Sequence, residues 1–295
     1  LDKIAKERVR DELVKIIMSP GKGAYNGTVQ LEELGLLGYV IPELREGIGA
    51  TQNKHHIYTV WEHNLLALDY AAHKNYPLEI RLGALLHDVG KPRTKAGDGP
   101  DSTFYNHEVV GAKMTKTLLE RLKFSTKFVR HVTHLVRYHL FYYNVGEVTE
   151  AGIRRFVRRV GEENVEDLLK VREADRIGSG VPKAFPYKLR HLKFMIEKVR
   201  RDPTAPKMLV LKGDELMKIL GIASGPRVGW ILGVLLEDVL DEPSKNNKTY
   251  LETRAKEVNK LRDEELKALS DKAKKRKEEF ETGIESEIKK KYFVR

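Results

Sequence analysis

Apolar side chains recur at helical spacing along almost the whole of this sequence, and alternation with a period of two is nearly absent. A chain patterned this way can bury its apolar stripes only by packing helix against helix, so an all-α fold is expected. Val9, Leu13, Ile16 and Ile17 form the first stripe, broken by Ser19-Pro20-Gly21; LEELGLLGYVIPEL reads as a second short helix that stops near Pro42. Helical periods then run from His55 to His73 and from Leu78 to Val89, the latter closed by Gly90 and Pro92. After a polar loop at Lys95–Asp101, helices are expected over His107–Leu122, Phe128–His139, Gly152–Val160, Val165–Ile177 and Tyr187–Arg200. Asp202–Pro206, with two prolines, is the best linker, and Gly178–Pro186 reads as a loop. Beyond the linker come a short helix, a corner at Gly221–Arg227 and a further helix. The Lys/Glu-rich stretch Lys248–Lys291 is expected to be a long exposed helix or a frayed one.

With 295 residues the chain can build one large core or two smaller ones. Cysteine is absent, so disulfides and thiolate ligands are excluded and any metal must be held by His, Asp or Glu. That absence fits a reducing compartment, and a cytoplasmic location is expected. The start, LDKIAKERVRDELVKIIM, is charged throughout and is not a signal peptide. The longest apolar run, around Trp230–Leu236, falls well short of the ~20 residues that a bilayer span requires, so no membrane association is expected. A net charge of +11 favours polyanionic partners, nucleic acid above all.

The sharpest chemical signal is Gly83-Ala-Leu-Leu-His87-Asp88-Val-Gly90-Lys91-Pro92, a polar pair closing a helix otherwise built for burial. Neighbouring helical residues point about 100° apart, so His87 and Asp88 converge on one ion only where a second wall of ligands faces them. His63, His107, His139 and Asp175, on other helices, can supply that wall. Imidazole and carboxylate suit divalent transition ions, and an ion so held can activate water against phosphorus. Lys91 is placed to neutralise a substrate phosphate, with Arg93 and Thr94 as further donors. A lone His near a helix end can equally be a dipole partner, and Asp88 a local cap. His131 and His134 share a face only partly with His139 and are expected to be structural.

Ile153–Val160 sets Arg154, Arg155, Arg158 and Arg159 opposite the seam Ile153, Phe156, Val157 and Val160. That face suits RNA phosphates or, equally, a solvated surface with internal salt bridges. Tyr138, Phe141, Tyr142 and Tyr143, beside His139, offer rings for base stacking, though core packing is expected for at least two of them.

The pattern H…HD…D, with HDxGK as its second element, resembles the HD phosphohydrolase superfamily. The stretches HHIYTVWEHNLLALD, LGALLHDVGKPRTK, STFYNHEVVGAKMTKTLLERLKFS and VREAD are similar to the HD domain of bacterial CCA-adding enzymes and poly(A) polymerases. ERVRDELVKII and LEELGLLGYVIPEL resemble their RNA-binding neck, and GDELMKILGIASGPRVGWIL their body and tail. This resemblance, over roughly residues 7 to 255, implies a helical HD domain at 51–201, flanked by a neck-like segment at 1–50 and a body and tail at 207–295. It implies His63, His87, Asp88 and Asp175 as core ligands, with His107 and His139 completing a place for a second ion. The implied cofactor is one or two divalent ions (Mg, Mn, Ni or Co), and the implied activities are phosphatase and 2′,3′-cyclic phosphodiesterase. The family's full-length enzymes also carry a nucleotidyltransferase head with Gly-Ser and Asp-x-Asp. No Gly-Ser followed by Asp-x-Asp occurs here, so nucleotide addition is not expected of this chain alone. The expected partners are RNA (tRNA first) or a nucleotide phosphoester, with a separate or missing head and homodimerisation left open.

Overall fold

The computed structural model describes residues 4–53, 57–180, 187–201 and 209–294. Among them there are sixteen α-helices and no strand beyond one isolated bridge between Ala96 and Thr103, so the fold is all-α. No helix among the described residues is long and apolar enough to cross a membrane. Contacts divide the chain into two compact units, one of 1–148 with 155–188 and the other of 149–154 with 189–295.

The first unit begins with α1 (Lys6–Met18), α2 (Gly23–Glu33), α3 (Leu37–Val40) and α4 (Pro42–Arg45). It continues through α5 (Val60–His73), α6 (Leu78–Leu86), α7 (Lys91–Thr94), α8 (His107–Arg121), α9 (Thr126–Tyr138), α10 (Glu150–Val160) and α11 (Val165–Gly178). The first five residues of α10 and the preceding Thr149 count with the second unit. One apolar core joins the neck-like helices to the rest: Leu13 and Ile17 of α1 and Leu37, Ile41 and Leu44 meet Leu65 and Leu68 of α5, Leu85 of α6 and Leu118 of α8. Burying each such side chain contributes about 1.5–3 kcal/mol. Arg81 adds a polar clasp to that core. Its guanidinium is 3% exposed and donates to the carbonyls of Ile17 and Ser19 at 3.0 Å each and of Tyr76 at 2.8 Å, tying the end of α1 to the turn before α6.

Small residues set the spacing around the future site. Ala67, Ala71, Ala84 and Ala174 pack α5, α6 and α11 together. At Gly178 a Cβ would lie 2.7 Å from the carbonyl oxygen of His63, so α11 can cross α5 there only without a side chain. The N-terminus of α5 is fixed by a capping box: the Glu62 N–H donates to Thr59 Oγ1 at 3.2 Å, and the Thr59 N–H to Glu62 at 2.9 Å.

Some expected boundaries move. The Leu78–Val89 helix ends at Leu86, because the Val89 N–H turns back to Leu86 O and the Lys91 N–H to Asp88 O in a tight turn. The second helix begins at Gly23 rather than Leu31, and LEELGLLGYVIPEL breaks into the end of α2 followed by α3 and α4. Gly27 hides that helix from a propensity reading, yet it is required: a Cβ there would meet Ile16 at 2.7 Å. The helix expected from His55 starts at Val60, and His55 itself lies outside the described residues, as does the Asp202–Pro206 linker.

The second unit holds α12 (Tyr187–Arg201, from Leu189 onward), α13 (Gly213–Leu220), α14 (Pro226–Asp241), α15 (Lys248–Val258) and α16 (Asp263–Tyr292). Leu211, Leu216, Ile231, Leu235, Leu251 and Leu266 form its core. The Gly221–Arg227 corner is as expected, with Gly221 at φ 64° capping α13 and Pro226 opening α14. The Lys/Glu-rich stretch is two helices, neither frayed nor wholly exposed. Leu266, Ala273 and Ile288 of α16 are buried, and Arg227 clasps the joint through the carbonyls of Asn259 and Leu261.

Candidate metal centre

Six ligand-type side chains converge from five elements of the first unit. His63 comes from α5, His87 and Asp88 from the turn after α6, His107 from the first position of α8, His139 from the residue after α9, and Asp175 from the last turn of α11. All are at most 7% exposed. His87 keeps helical dihedrals, φ −57° and ψ −38°, at the end of α6, so the pair faces one centre because donors from α5, α8, the end of α9 and α11 surround that turn. Asn106, in the left-handed conformation at φ 64°, swings the chain into α8 so that His107 points inward.

The donors form two groups that share Asp88. His63 Nε2 lies 2.8 Å from His87 Nε2, 3.2 Å from Asp88 Oδ2 and 3.4 Å from Asp175 Oδ1. On the other side, His107 Nε2 lies 3.3 Å from Asp88 Oδ1 and 3.3 Å from His139 Nε2. Each carboxylate oxygen of Asp88 thus serves one group, as a bridging ligand does.

The second contacts of the imidazoles decide what the centre can hold. The Nδ1–H groups of His87, His107 and His139 donate to the carbonyls of Ala84, Phe104 and Val136, each at 2.7 Å. A carbonyl only accepts, so Nδ1 carries the proton and the neutral ring offers a lone pair at Nε2. Two lone pairs facing each other at 3.3 Å in a buried pocket repel unless a cation lies between them. The donor set therefore fits divalent ions.

Electrostatics agree with that reading. Burial pushes the Asp88 carboxyl up, but the charges of Lys91 and His87, with the polar surroundings of His107 and His139, hold it well below the carboxylate range. Asp175 is held down likewise, against burial, by Arg172, His63 and His87. Burial disfavours charge on His87, yet the two carboxylates outweigh it and lift its pKa to about 10; His139, in contrast, is lowered, chiefly by burial. At neutral pH a proton on His87 balances the carboxylates, and a cation bound there would displace it. The raised His87 stabilises the metal-free chain fully below pH 6.5, and that contribution disappears as pH rises through about 10. Manganese titration by calorimetry at pH 7.5, in buffers of different ionisation heat, should therefore show release of about one proton per chain. Heat independent of the buffer would contradict this.

Lys91, expected to meet a substrate phosphate, is 6% exposed, and its ammonium sits 2.5 Å from Asp88 Oδ2 and donates to Gln52 Oε1 at 2.6 Å. It holds the bridging carboxylate in place. Arg93 points away and grips Glu46 through two bonds of 2.7 and 2.6 Å, and the Thr94 hydroxyl donates to the carbonyl of Gly90. On α10, Arg154, Arg155, Arg158 and Arg159 are exposed, with Ile153 and Val160 buried opposite; Arg154 contacts Glu150 at 3.3 Å. His131 bonds Asn164 and Asp167, and His134 the carbonyl of Val160, so both are structural. Of the aromatic cluster, Phe141 packs on Phe156 at 5.1 Å and Tyr138 on His134 at 4.6 Å; Tyr143 is half-buried and Tyr142 is 73% exposed. Sequence reasoning missed Gln52 and Arg172. The Arg172 guanidinium donates to Asp175 Oδ2 at 2.5 Å, and its place three residues before a ligand on one helix was the available signal.

Residues 55–179 match the HD domain family, and residues 1–48 match the family described as the probable RNA and SrmB-binding site of polymerase A. The chain is 40% identical over 243 residues to an A-adding tRNA nucleotidyltransferase of Deinococcus radiodurans, an overlap of 79% of this chain and 54% of that protein. It is 38% identical over 239 residues to a CC-adding tRNA nucleotidyltransferase of Thermus thermophilus, covering 79% and 52%. A multifunctional CCA protein of Acinetobacter baumannii is 26% identical over 227 residues, covering 75% and 54%. The chain spans about half the length of these curated relatives.

Proposed function

This chain belongs to the HD-domain superfamily and is related over its neck, HD and tail regions to the tRNA nucleotidyltransferase and poly(A) polymerase family, and on that footing we propose that it is a metal-dependent phosphohydrolase acting on the phosphoester of an RNA end or a nucleotide. The observation that carries the reading is the pair of facing Nε2 groups bridged by Asp88. One or two ions of Mg, Mn, Ni or Co bound there would supply Lewis acidity toward a phosphoryl oxygen and a water-derived nucleophile at neutral pH. His63, His87, Asp88 and Asp175 hold one position, and Asp88, His107 and His139 the other. Lys91 fixes the Asp88 carboxylate between them, and the three Nδ1–H bonds to carbonyls keep the imidazole lone pairs aimed inward. The exposed arginines of α10 offer an outer anchor for RNA phosphates. The neck-like segment at 1–50 and the body and tail at 207–295 are read as RNA-contacting, with 51–201 as the HD region.

The match of residues 1–48 to an RNA-binding family favours a second reading, in which the chain is the tRNA-binding portion of a nucleotidyltransferase and its HD site is regulatory or inactive. Hydrolysis of 2′,3′-cyclic AMP and p-nitrophenyl phosphate with Mg, Mn, Co or Ni separates the two. The hydrolase is expected to turn over with at least one metal and to lose more than about a hundredfold in His87→Ala, beyond what loss of a supporting contact costs. No turnover with any metal, alongside salt-sensitive tRNA binding that survives His87→Ala, would leave the binding reading.

A further inference from the structure

Arg172, Asp175 and Arg176 share one face of α11, at spacings of three and four residues. Asp175 turns Oδ1 toward His63 and His87, at 3.4 and 3.6 Å, and its other oxygen toward Arg172 at 2.5 Å. Orienting Asp175 accounts for one N–H of Arg172. It does not account for Arg176, one turn further on, which has no bonded carboxylate among the described residues and whose buried Nε meets no hydrogen-bond acceptor there. Arg121, another half-buried arginine of this unit, is gripped at 2.7 and 2.8 Å by Glu43. Two adjacent guanidiniums beside the metal centre, sharing one carboxylate and leaving a donor unused, lack an anion. A flat apolar wall stands next to Arg172, which lies 5.7 Å over the ring of Phe141, two residues past His139.

We propose that Arg172 and Arg176 form an oxyanion subsite that takes the phosphoryl oxygens of a nucleotide phosphoester, with Phe141 lining the side where the nucleoside lies. That this anion is the substrate rests on the hydrolase reading above; the subsite itself does not. Arg172 can donate to phosphate while still holding Asp175, whereas Arg176 serves the anion alone, so substitution at 176 separates phosphate binding from metal binding.

The test is equilibrium binding of inorganic phosphate to the full chain, by calorimetry with and without Mn, alongside Mn affinity. Arg176→Gln is expected to weaken phosphate about tenfold or more and to leave Mn affinity unchanged; Arg172→Gln is expected to weaken both. Should the glutamine variant fail to fold, Arg176→Lys carries the test, with a several-fold loss expected because ammonium lacks the forked donors. Wild-type phosphate affinity in whichever of these folds, or phosphate loss that only follows Mn loss, overturns the subsite. If phosphate binding depends on Arg176 but no ester is turned over, the subsite stands and the hydrolase reading falls. If turnover depends on His87 but phosphate affinity ignores Arg176, the reverse holds.

Discussion

Asp88→Ala is expected to remove Mn binding from both donor groups, to lower any metal-dependent hydrolysis by more than about a hundredfold, and to destabilise the metal-free chain by about 3–5 kcal/mol. The first two effects follow from geometry: Oδ2 lies 3.2 Å from His63 Nε2 and Oδ1 3.3 Å from His107 Nε2, so one truncation strips both groups of their shared anion. The third follows from burial. Asp88 is 2% exposed and neutralises Lys91, itself 6% exposed; without it the ammonium keeps the Gln52 carbonyl and the Phe104 ring, neither of which carries a charge. Removing one partner of a buried pair leaves the other charge uncompensated, which costs more than the pair contributes. Asp88→Asn separates the effects, since it keeps the shape and an acceptor oxygen for Lys91 but loses the negative charge that the two donor groups share. Urea denaturation and Mn titration of the three proteins measure both; a variant that binds Mn like wild type would exclude Asp88 as the bridge.

Gly90→Ala is expected to destabilise the first unit by roughly 3 kcal/mol or more, lowering its Tm by roughly 6–12 °C, although only one methyl group is added. The backbone there is ordinary, with φ −81° and ψ −15°, so conformational freedom is not the reason for glycine. Close approach is. A Cβ would stand 2.2 Å from the carbonyl oxygen of His107 and 2.6 Å from the amide nitrogen of Gly111, both backbone atoms of α8 that cannot rotate aside. Relief requires α8 to withdraw, taking His107 from its place 3.3 Å from Asp88. Thermal unfolding and Mn titration should therefore change together. A Tm within a degree or two of wild type would mean that α8 does not press on this turn.

How much of this could be read from the sequence varies with the kind of interaction. The convergence of these six side chains was legible, because three histidines, a His-Asp pair and a further aspartate on separate apolar helices, in a chain without cysteine, leave few other uses for such residues. Helix existence was legible for the same reason of period. The end of α6 was not, since a helix and a tight turn at His87–Gly90 share one apolar pattern and differ only in which carbonyls the amides find. Nor was α2, whose Gly27 lowers helix propensity for the sake of a contact with Ile16 that no local pattern displays. Lys91 illustrates a third limit. Its place beside the His-Asp pair suggested a substrate contact, but Gln52, thirty-nine residues earlier, captures it, and a pairing at that separation leaves no local trace. The tail helix α16 has sparse apolar positions, yet Leu266, Ala273 and Ile288 are buried.

The most direct measurement of the proposed centre is titration of the full chain with Mn at pH 7.5, with free ion read from the six-line electron paramagnetic resonance signal and His87→Ala measured alongside. One or two ions held per wild-type chain, the second coupling to the first through Asp88, and none held with comparable affinity by His87→Ala, is the expected result. A wild-type chain that leaves all the Mn free, or a His87→Ala chain that binds it as tightly, would contradict the metal centre and with it the hydrolase reading.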